Sequence, residues 1–126
     1  MDFKQNVLDY WQDINMQLYQ RLPQYFNPNA TIYWHNSNEK FDPQELARVY
    51  QDFGGAWHVE IERLLACEGS VISIINARNT KAEGLYRAVS FFEYEDGLVR
   101  KLHEYWSRVG FAPDWRHEHG LGSNIF

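Results

Sequence analysis

The chain has 126 residues, of which 44% are hydrophobic and 23% charged, and its net charge is -5 at pH 7. This balance is typical of a globular domain, and it excludes a large multidomain enzyme. The acidic balance, without any basic run, argues against nucleic acid or an anionic membrane as a partner. Surface scaling predicts about 7,000 Å² exposed for one folded unit of this mass. We predict a single domain over 1–126, with a core over about 7–110 and an irregular tail over 111–126.

Aromatic residues are unusually frequent, with 5 Trp, 8 Tyr and 8 Phe. Each brings roughly 150–250 Å² to bury, so rings either fill the core or line a cavity. The single cysteine, Cys67, excludes an internal disulfide and fits a reducing compartment. No stretch approaches the ~20 apolar residues of a membrane span. We therefore expect a cytoplasmic protein without a membrane partner. His117 and His119 lack a third ligand nearby in sequence, so no metal or other cofactor is expected.

Helical spacing of apolar residues from Val7 to Leu18 predicts the first helix, with Asp2 as its N-cap and Tyr10 beside its apolar stripe. A brief strand is expected over 31–35.

Asp42 and Glu45 form a capping box with Pro43 at the first helical position, which predicts the start of a second helix. Gly54 then marks its end.

Strand signals dominate the second half of the chain. Apolar residues alternate from Trp57 to Cys67, and 71–75 is a largely apolar run that predicts a buried strand. The segments 85–94 and 98–107 flank Asp96-Gly97, the preferred two-residue hairpin turn. The predicted helices come first in the chain and a meander of antiparallel strands comes last. This order predicts an α+β fold in which the sheet curls over the helices.

A two-residue turn at Asp96-Gly97 pairs residues whose numbers sum to 193. Val89 then faces Glu104 and Arg87 faces Trp106, all on one face of the sheet. Arg87 and Glu104 form either an exposed ion pair of little energetic value or a charged pair inside a ring-lined pocket. The opposite face then collects three rings that would suit a dimer surface, namely Phe92, Tyr94 and Tyr105.

Two segments resemble the nuclear transport factor 2 (NTF2)-like superfamily, which includes ketosteroid isomerase and the SnoaL-like polyketide cyclases. Residues 30–34, with the sequence ATIYW, are similar to the isomerase strand ATVED. Residues 102–109, LHEYWSRV, are similar to its final strand and share Tyr-Trp-Ser with it. The resemblance implies a cystatin-like α+β roll, in which N-terminal helices pack on a strongly curved, mostly antiparallel mixed sheet that forms a cone. It also implies a homodimer formed through the sheet.

The resemblance also assigns roles to individual residues. Tyr10 falls at the position of the isomerase's oxyanion tyrosine, and Trp106 at that of a pocket-lining tryptophan. Trp34 replaces the general-base aspartate, however, and Val89 replaces the second aspartate of the oxyanion hole. The chain therefore resembles the isomerase in fold and departs from it in chemistry.

Two residues are candidates to replace the missing carboxylates. His35 follows Trp34, so a shift of one residue would bring its imidazole to the base position; otherwise it is a strand-end histidine that points to solvent. Glu104 is expected opposite Val89, one strand away from the missing aspartate. Burial would raise the pKa of Glu104, whereas Arg87 would lower it.

Two functions remain open. The first is a cofactor-free isomerase, dehydratase or cyclase acting on a flat apolar or aromatic substrate, with Tyr10 as oxyanion donor and His35 or Glu104 as proton-transfer group. Its substrate-binding residues would be Trp34, Trp57, Arg87, Val89 and Trp106. The second is a non-catalytic ligand-binding or homodimerisation module whose pocket is filled by its own rings. A cavity of ~300 Å³ or more reached by Tyr10 and Glu104 would favour the first, and a cavity closed by Trp34 and Trp57 the second.

Overall fold

The computed structural model describes residues 2–126. Two helices, α1 (Phe3–Asn15) and α2 (Pro43–Phe53), and a 3₁₀ helix (Tyr19–Tyr25) pack on one six-stranded sheet. The strands are β1 (Phe26–Trp34), β2 (Glu39–Phe41), β3 (Trp57–Cys67), β4 (Ser70–Asn79), β5 (Ala82–Glu95) and β6 (Leu98–Arg108), and a short helix, α3 (Asp114–Glu118), lies in the tail. None of the described helices is long and apolar enough to cross a bilayer.

The sheet has the order β2-β1-β6-β5-β4-β3. All neighbours are antiparallel except β1 and β6, which run parallel. Irregularities in the ladders at 61–63, 77–79 and 93–94 bend the strands. The sheet therefore curls around the helices without closing, which confirms the predicted α+β cone.

Both helix starts follow the predicted caps. The Asp2 carboxylate accepts from the backbone N–H of Gln5 at 3.2 Å. At α2 the capping box is complete, because Glu45 N donates to Asp42 Oδ1 at 2.8 Å and Asp42 N donates to Glu45 Oε1 at 3.0 Å. α2 ends at Phe53, and Gly54, with a φ of 80°, is its C-cap as predicted.

The inner face of the sheet holds the core. α1 buries its apolar stripe there, and the indole N–H of Trp11 donates to Ser73 Oγ at 3.1 Å. The Asn15 side chain bonds both the N–H of Val59, at 2.6 Å, and its carbonyl oxygen, at 3.1 Å. These bonds fix the end of α1 to β3 and so set the position of Tyr10 under the sheet.

The predicted register of the β5–β6 hairpin is wrong by one residue beyond its first two pairs. The turn at Asp96-Gly97 forms as expected, with both residues at positive φ, and Tyr94 pairs with Val99. Arg100 is then left without a partner in β5, so the numbers of the paired residues beyond it sum to 194. A single extra residue of this kind is a β-bulge, and it exchanges the two faces of β6 relative to β5.

The bulge changes the neighbours of several candidate residues. Glu104 pairs with Ser90 instead of Val89, and Trp106 pairs with Ala88 instead of Arg87. Beyond the bulge, the even-numbered residues of both strands share the inner face. Arg87 and Val89 therefore lie on the outer face, and Phe92 and Tyr94 do not share a face with Tyr105.

Other bounds also differ from the sequence prediction. β1 begins at Phe26, before the predicted strand 31–35, and β4 continues to Asn79, beyond the predicted strand 71–75. The apolar run 71–75 is not buried throughout: Val71 and Ile75 are inside, whereas Ile72 and Ile74 are half-buried on the outer face. Both faces of the sheet are apolar here except at Ser73, which is fully buried and accepts from the indole N–H of Trp11.

Candidate functional site

A partly open cavity of about 150 Å³ lies between the sheet and α2. Its wall is apolar, and it is built from the ends of β1 and β6, the starts of β3 and β5, and one side of α2. The lining residues are Trp34, Val49, Tyr50, Phe53, Trp57, Tyr86 and Trp106.

Trp106 is the centre of the wall. Its ring centroid lies 5.8 Å from that of Trp57 and 6.3 Å from those of Trp34 and Trp11, at interplanar angles between 53° and 66°. Tyr86 meets Trp57 edge-on at 5.6 Å. Tilted and edge-on ring pairs of this kind are attractive beyond their buried area, so the wall is well ordered.

Glu104 is the buried carboxyl group behind this wall, with no exposed surface. Trp34 Nε1 donates to its Oε1 at 3.0 Å, and Ser90 Oγ donates to its Oε2 at 2.5 Å. Trp106 Nε1 also approaches the carboxyl group and favours its charged form, although its geometry falls outside that of a hydrogen bond. Burial raises the pKa of Glu104 from its ordinary value of 4.5, and the hydrogen bonds from Ser90 and Trp34, with the nearby indole N–H of Trp106, oppose that rise.

Two tyrosine hydroxyls lie near this carboxyl group. Tyr10 and Tyr50 are 1% and 3% exposed, and neither hydroxyl has a hydrogen-bond partner among residues 2–126. Burial raises the pKa of both hydroxyls well above 10, and the charge of Glu104 adds to the effect. Both tyrosines are therefore neutral donors. Tyr10 is held edge-on by four rings, those of Trp11, Tyr25, Phe26 and Phe92.

The structure brings part of the predicted site together. Trp34, Trp57 and Trp106 line one cavity, and Glu104 hydrogen-bonds to Trp34 behind it. Tyr10 lies on the same side of the sheet, under the core. Tyr10 and Glu104 do not themselves line the cavity.

Three of the predicted residues lie elsewhere. The Arg87 guanidinium pairs with the Glu62 carboxylate on the outer face, where both side chains are more than a third exposed. Val89 is half-buried on the same face. His35 is exposed just beyond β1, while Trp34 keeps the inward orientation.

Sequence reasoning missed Ser90 and the contribution of α2. The alternation of Ala88, Ser90 and Phe92 places a small polar residue between buried ones, and this pattern would have revealed the inner face of β5. Val49 and Tyr50 lie within the helix whose start and end were predicted, but no sequence pattern indicated that its apolar side would line a cavity.

A second feature is the outer sheet face, on which two lateral rows of side chains cross the strands. Strand pairing aligns Leu65, Ile72, Phe91, His103 and Tyr33 in one row and Arg63, Ile74, Val89 and Tyr105 in the next. Leu65, Phe91 and Tyr105 remain 36–43% exposed. Most of this surface is apolar.

Two histidines lie at one end of these rows. His35 Nε2 and His103 Nδ1 are 2.9 Å apart, and His103 Nε2 lies 3.3 Å from Glu93 Oε2. Each imidazole stacks on a tyrosine ring, His103 on Tyr33 at 4.6 Å and His35 on Tyr105 at 4.7 Å. Within residues 2–126, no three His, Cys, Asp or Glu side chains are placed to hold a metal ion.

Solved structures share this architecture. A ketosteroid isomerase-like protein from Kribbella flavida DSM 17836 superimposes with a TM-score of 0.80 and 20% identity, over 98% of this chain and 90% of its own. An NTF2-like protein of unknown function from Burkholderia xenovorans LB400 gives 0.77 and 18%, over 97% and 94%. An LEH-like epoxide hydrolase from M. tuberculosis gives 0.67 and 13%, over 82% and 80%.

No protein-family model and no curated protein matches the sequence. Many of the similar solved structures are NTF2-like, SnoaL-like and ketosteroid isomerase-like proteins, as the sequence resemblance predicted. At these identities the likeness establishes the fold, and this fold hosts many unrelated functions. The function must be argued from the cavity and the surfaces.

Proposed function

We propose that the protein binds a small, single-ring apolar molecule in the cavity between the sheet and α2. The observation that carries the proposal is an apolar, ring-lined cavity of about 150 Å³. An engineered apolar cavity of about 150 Å³ in another protein takes up benzene, whereas drug-sized ligands use about 300–1,000 Å³. A polycyclic molecule is therefore too large for this cavity, and a monocyclic one fits.

The site favours binding over catalysis. A ligand in the cavity meets the rings of Trp34, Trp57 and Trp106, while Glu104 lies behind Trp34 with both oxygens engaged. This supports the non-catalytic ligand-binding reading, with a pocket partly filled by aromatic side chains.

A cofactor-free isomerase or lyase is the second candidate, and the raised pKa of Glu104 favours it. If Trp34 rotated away, the ionised carboxylate could take a proton from a carbon next to a carbonyl group. The electron pair of the broken C–H bond would then form an enolate, and the Tyr10 hydroxyl could donate a hydrogen bond to its oxygen. For a β,γ-unsaturated ketone this enolate extends over the C=C bond, and return of the proton to the γ carbon would move the double bond and complete an isomerisation.

A size series of ligands tests the binding proposal. Fluorobenzene should give saturable ¹⁹F line broadening and should change the tryptophan emission, whereas 1-fluoronaphthalene and a fluorinated steroid should do neither. Val49→Phe adds a ring to the cavity wall and should weaken fluorobenzene binding at least tenfold. Leu8→Phe makes a similar addition at an exposed position of α1 and is the matched control. Binding of the steroid but not of fluorobenzene, or wild-type binding by Val49→Phe, would contradict the proposal.

Glu104→Gln separates the two candidates. The non-catalytic reading predicts that this variant binds fluorobenzene like the wild type. The isomerase candidate predicts that the wild type exchanges the α-protons of a monocyclic ketone with solvent deuterium and that the variant does not. Exchange at equal rates in both proteins would remove Glu104 from the mechanism.

We also infer a homodimer formed through the outer sheet face, supported by its exposed apolar rows. Phe91→Lys places a charge at the centre of these rows and should shift sedimentation velocity from dimer to monomer. A wild-type protein that stays monomeric at millimolar concentration would contradict this inference. The exposed free thiol of Cys67 supports a reducing, cytoplasmic location.

A further inference from the structure

The chain ends in a C-terminal arm, residues 110–126, that contains α3 and does not pack on its own sheet. Every residue of the arm is exposed. Phe111 is 100%, Ile125 92% and Phe126 72% exposed, and Trp115 and Leu121 are just over half exposed. Several large apolar side chains exposed in one segment are typical of a surface that meets another molecule.

The arm has a defined backbone course despite its exposure. Within it, Arg116 N donates to the carbonyl of Pro113 at 3.1 Å, His119 N to that of Trp115 at 3.1 Å, and Leu121 N to that of Arg116 at 2.8 Å. The superposition on the Kribbella protein spans 98% of the chain, so most of the arm lies within the aligned span.

The chain exposes more surface than a compact monomer of its mass, and the arm accounts for part of this excess. The chain exposes 8035 Å², whereas a folded monomer of this mass is expected to expose about 7,000 Å². The excess of roughly 1,000 Å² is similar to the ~800 Å² that each partner buries in a standard interface. A second molecule that covered the arm would restore the usual ratio of surface to mass.

The same chain offers a surface on which the arm could pack. β6 contributes Tyr105 to the outer sheet face and ends at Arg108, directly before the arm. One copy thus carries two unpartnered apolar surfaces, the arm and the outer face. In a dimer with twofold symmetry, each contact between them is made twice, so both surfaces of both copies are covered.

We propose that the C-terminal arm of each copy packs on the outer sheet face of a second copy of this chain. The proposal rests on the homodimer inferred above and is independent of ligand binding in the cavity. Phe111 and the terminal Ile125 and Phe126 are the contact residues of the arm, and the row through Leu65, Ile72 and Phe91 receives them.

Sedimentation equilibrium of full-length variants tests this arrangement. Phe111→Ser combined with Phe126→Ser should raise the dimer Kd at least tenfold, because buried aromatic anchors dominate the energy of interfaces. Ser123→Ala, a small exposed change in the same arm, should leave the Kd unchanged. A wild-type dimer whose Kd is not altered by the double substitution would overturn the arm proposal and leave the homodimer standing. A monomeric wild type would overturn both.

Photo-crosslinking shows which copy the arm contacts. Unlabelled and ¹⁵N-labelled protein are each prepared with a benzophenone amino acid in place of Phe111. The two are mixed and irradiated, and the crosslinked peptides are identified by mass spectrometry. Crosslinks between heavy and light copies, joining the arm to peptides from β3, β4 or β5, are expected. Crosslinks confined to one copy, or to surfaces away from the outer face, would overturn the proposal. Unchanged fluorobenzene binding by the arm variants would show that the cavity is intact.

Discussion

The indole N–H of Trp34 donates to the carboxyl group of Glu104 at 3.0 Å, and this bond joins the cavity wall to the buried acid. Trp34 belongs to β1 and Glu104 to β6, and the two residues are paired in the parallel ladder. One residue thus both shapes the cavity and stabilises the charge behind it.

Trp34→Phe should destabilise the protein by about 1–3 kcal/mol, because it leaves one oxygen of a fully buried carboxyl group without its donor. Loss of the donor also removes an interaction that lowers the pKa of Glu104, so that pKa should rise further. Urea unfolding at several pH values should show a cost that grows as the pH increases. Trp115→Phe, at an exposed position of the arm, is the control and should change stability by less than about 0.5 kcal/mol. An equal cost for both variants would mean that the bond does not stabilise Glu104.

Glu104→Gln should alter how stability depends on pH. Burial raises the pKa of Glu104 above its ordinary value of 4.5, so the folded protein keeps a proton that the unfolded chain releases. The stability of the wild type should therefore fall as the pH rises from about 4.5 through the raised pKa, and the variant should lack this component. The stability of the wild type minus that of the variant should decrease across this window.

Urea unfolding of both proteins between pH 4 and pH 8 measures this difference. Glu60→Gln removes an exposed carboxylate and is the matched control. A stability difference between wild type and Glu104→Gln that increases with pH would show that the folded protein favours the ionised form of Glu104.

The hairpin register shows how far the sequence determines the site. The Asp96-Gly97 turn was predictable because few dipeptides suit two successive positive φ angles. The bulge at Arg100 was not, since no local composition marks which residue is skipped. One extra residue moved Arg87 and Val89 out of the predicted site and placed Ser90 in it.

Other parts of the site were predictable in part. The capping box at Asp42 fixed the start of α2, and strand alternation placed Trp57 inside. The volume of the cavity depends on the angles between Trp34, Trp57 and Trp106, which come from three different strands. Such angles are set by packing and do not follow from any pattern in the sequence.

Deletion of Arg100 should leave the pairing of β5 with β6 unchanged, because Arg100 is the one residue there without a partner in β5. Glu93 still pairs with Lys101, and Glu104 stays opposite Ser90 on the inner face. The deletion removes only the local bend of the bulge and a side-chain bond from Arg100 to a carbonyl oxygen of β1. Thermal unfolding followed by near-UV circular dichroism should therefore show a cooperative transition. Arg100→Ala keeps the bulge, loses the same bond and should cost less than about 1 kcal/mol. A deletion variant without a cooperative transition, beside a cooperative Arg100→Ala, would show that the fold requires the bulge itself.

The pKa of His103, on the outer face, should shift in opposite directions when His35 and Glu93 are substituted. Burial lowers the pKa of His103 from 6.5, and the charges of His35 and Lys101 lower it further, whereas Glu93 raises it. His35→Phe retains a ring against Tyr105 and removes the charge, so it should raise the pKa of His103. Glu93→Gln should lower that pKa. Titration of the imidazole signals by NMR measures both shifts, with His117→Phe in the exposed arm as the control.

The lowered pKa of His103 also determines how this residue affects the free energy of unfolding at different pH values. Folded His103 binds its proton less readily than the unfolded chain does, so its contribution to stability is present above about pH 6.5 and is lost as the pH falls through the folded pKa. His103→Asn should therefore lose less stability than the wild type between pH 7 and pH 5 in urea unfolding experiments. If the two proteins lose stability equally over this range, the depressed pKa of His103 does not contribute to folding.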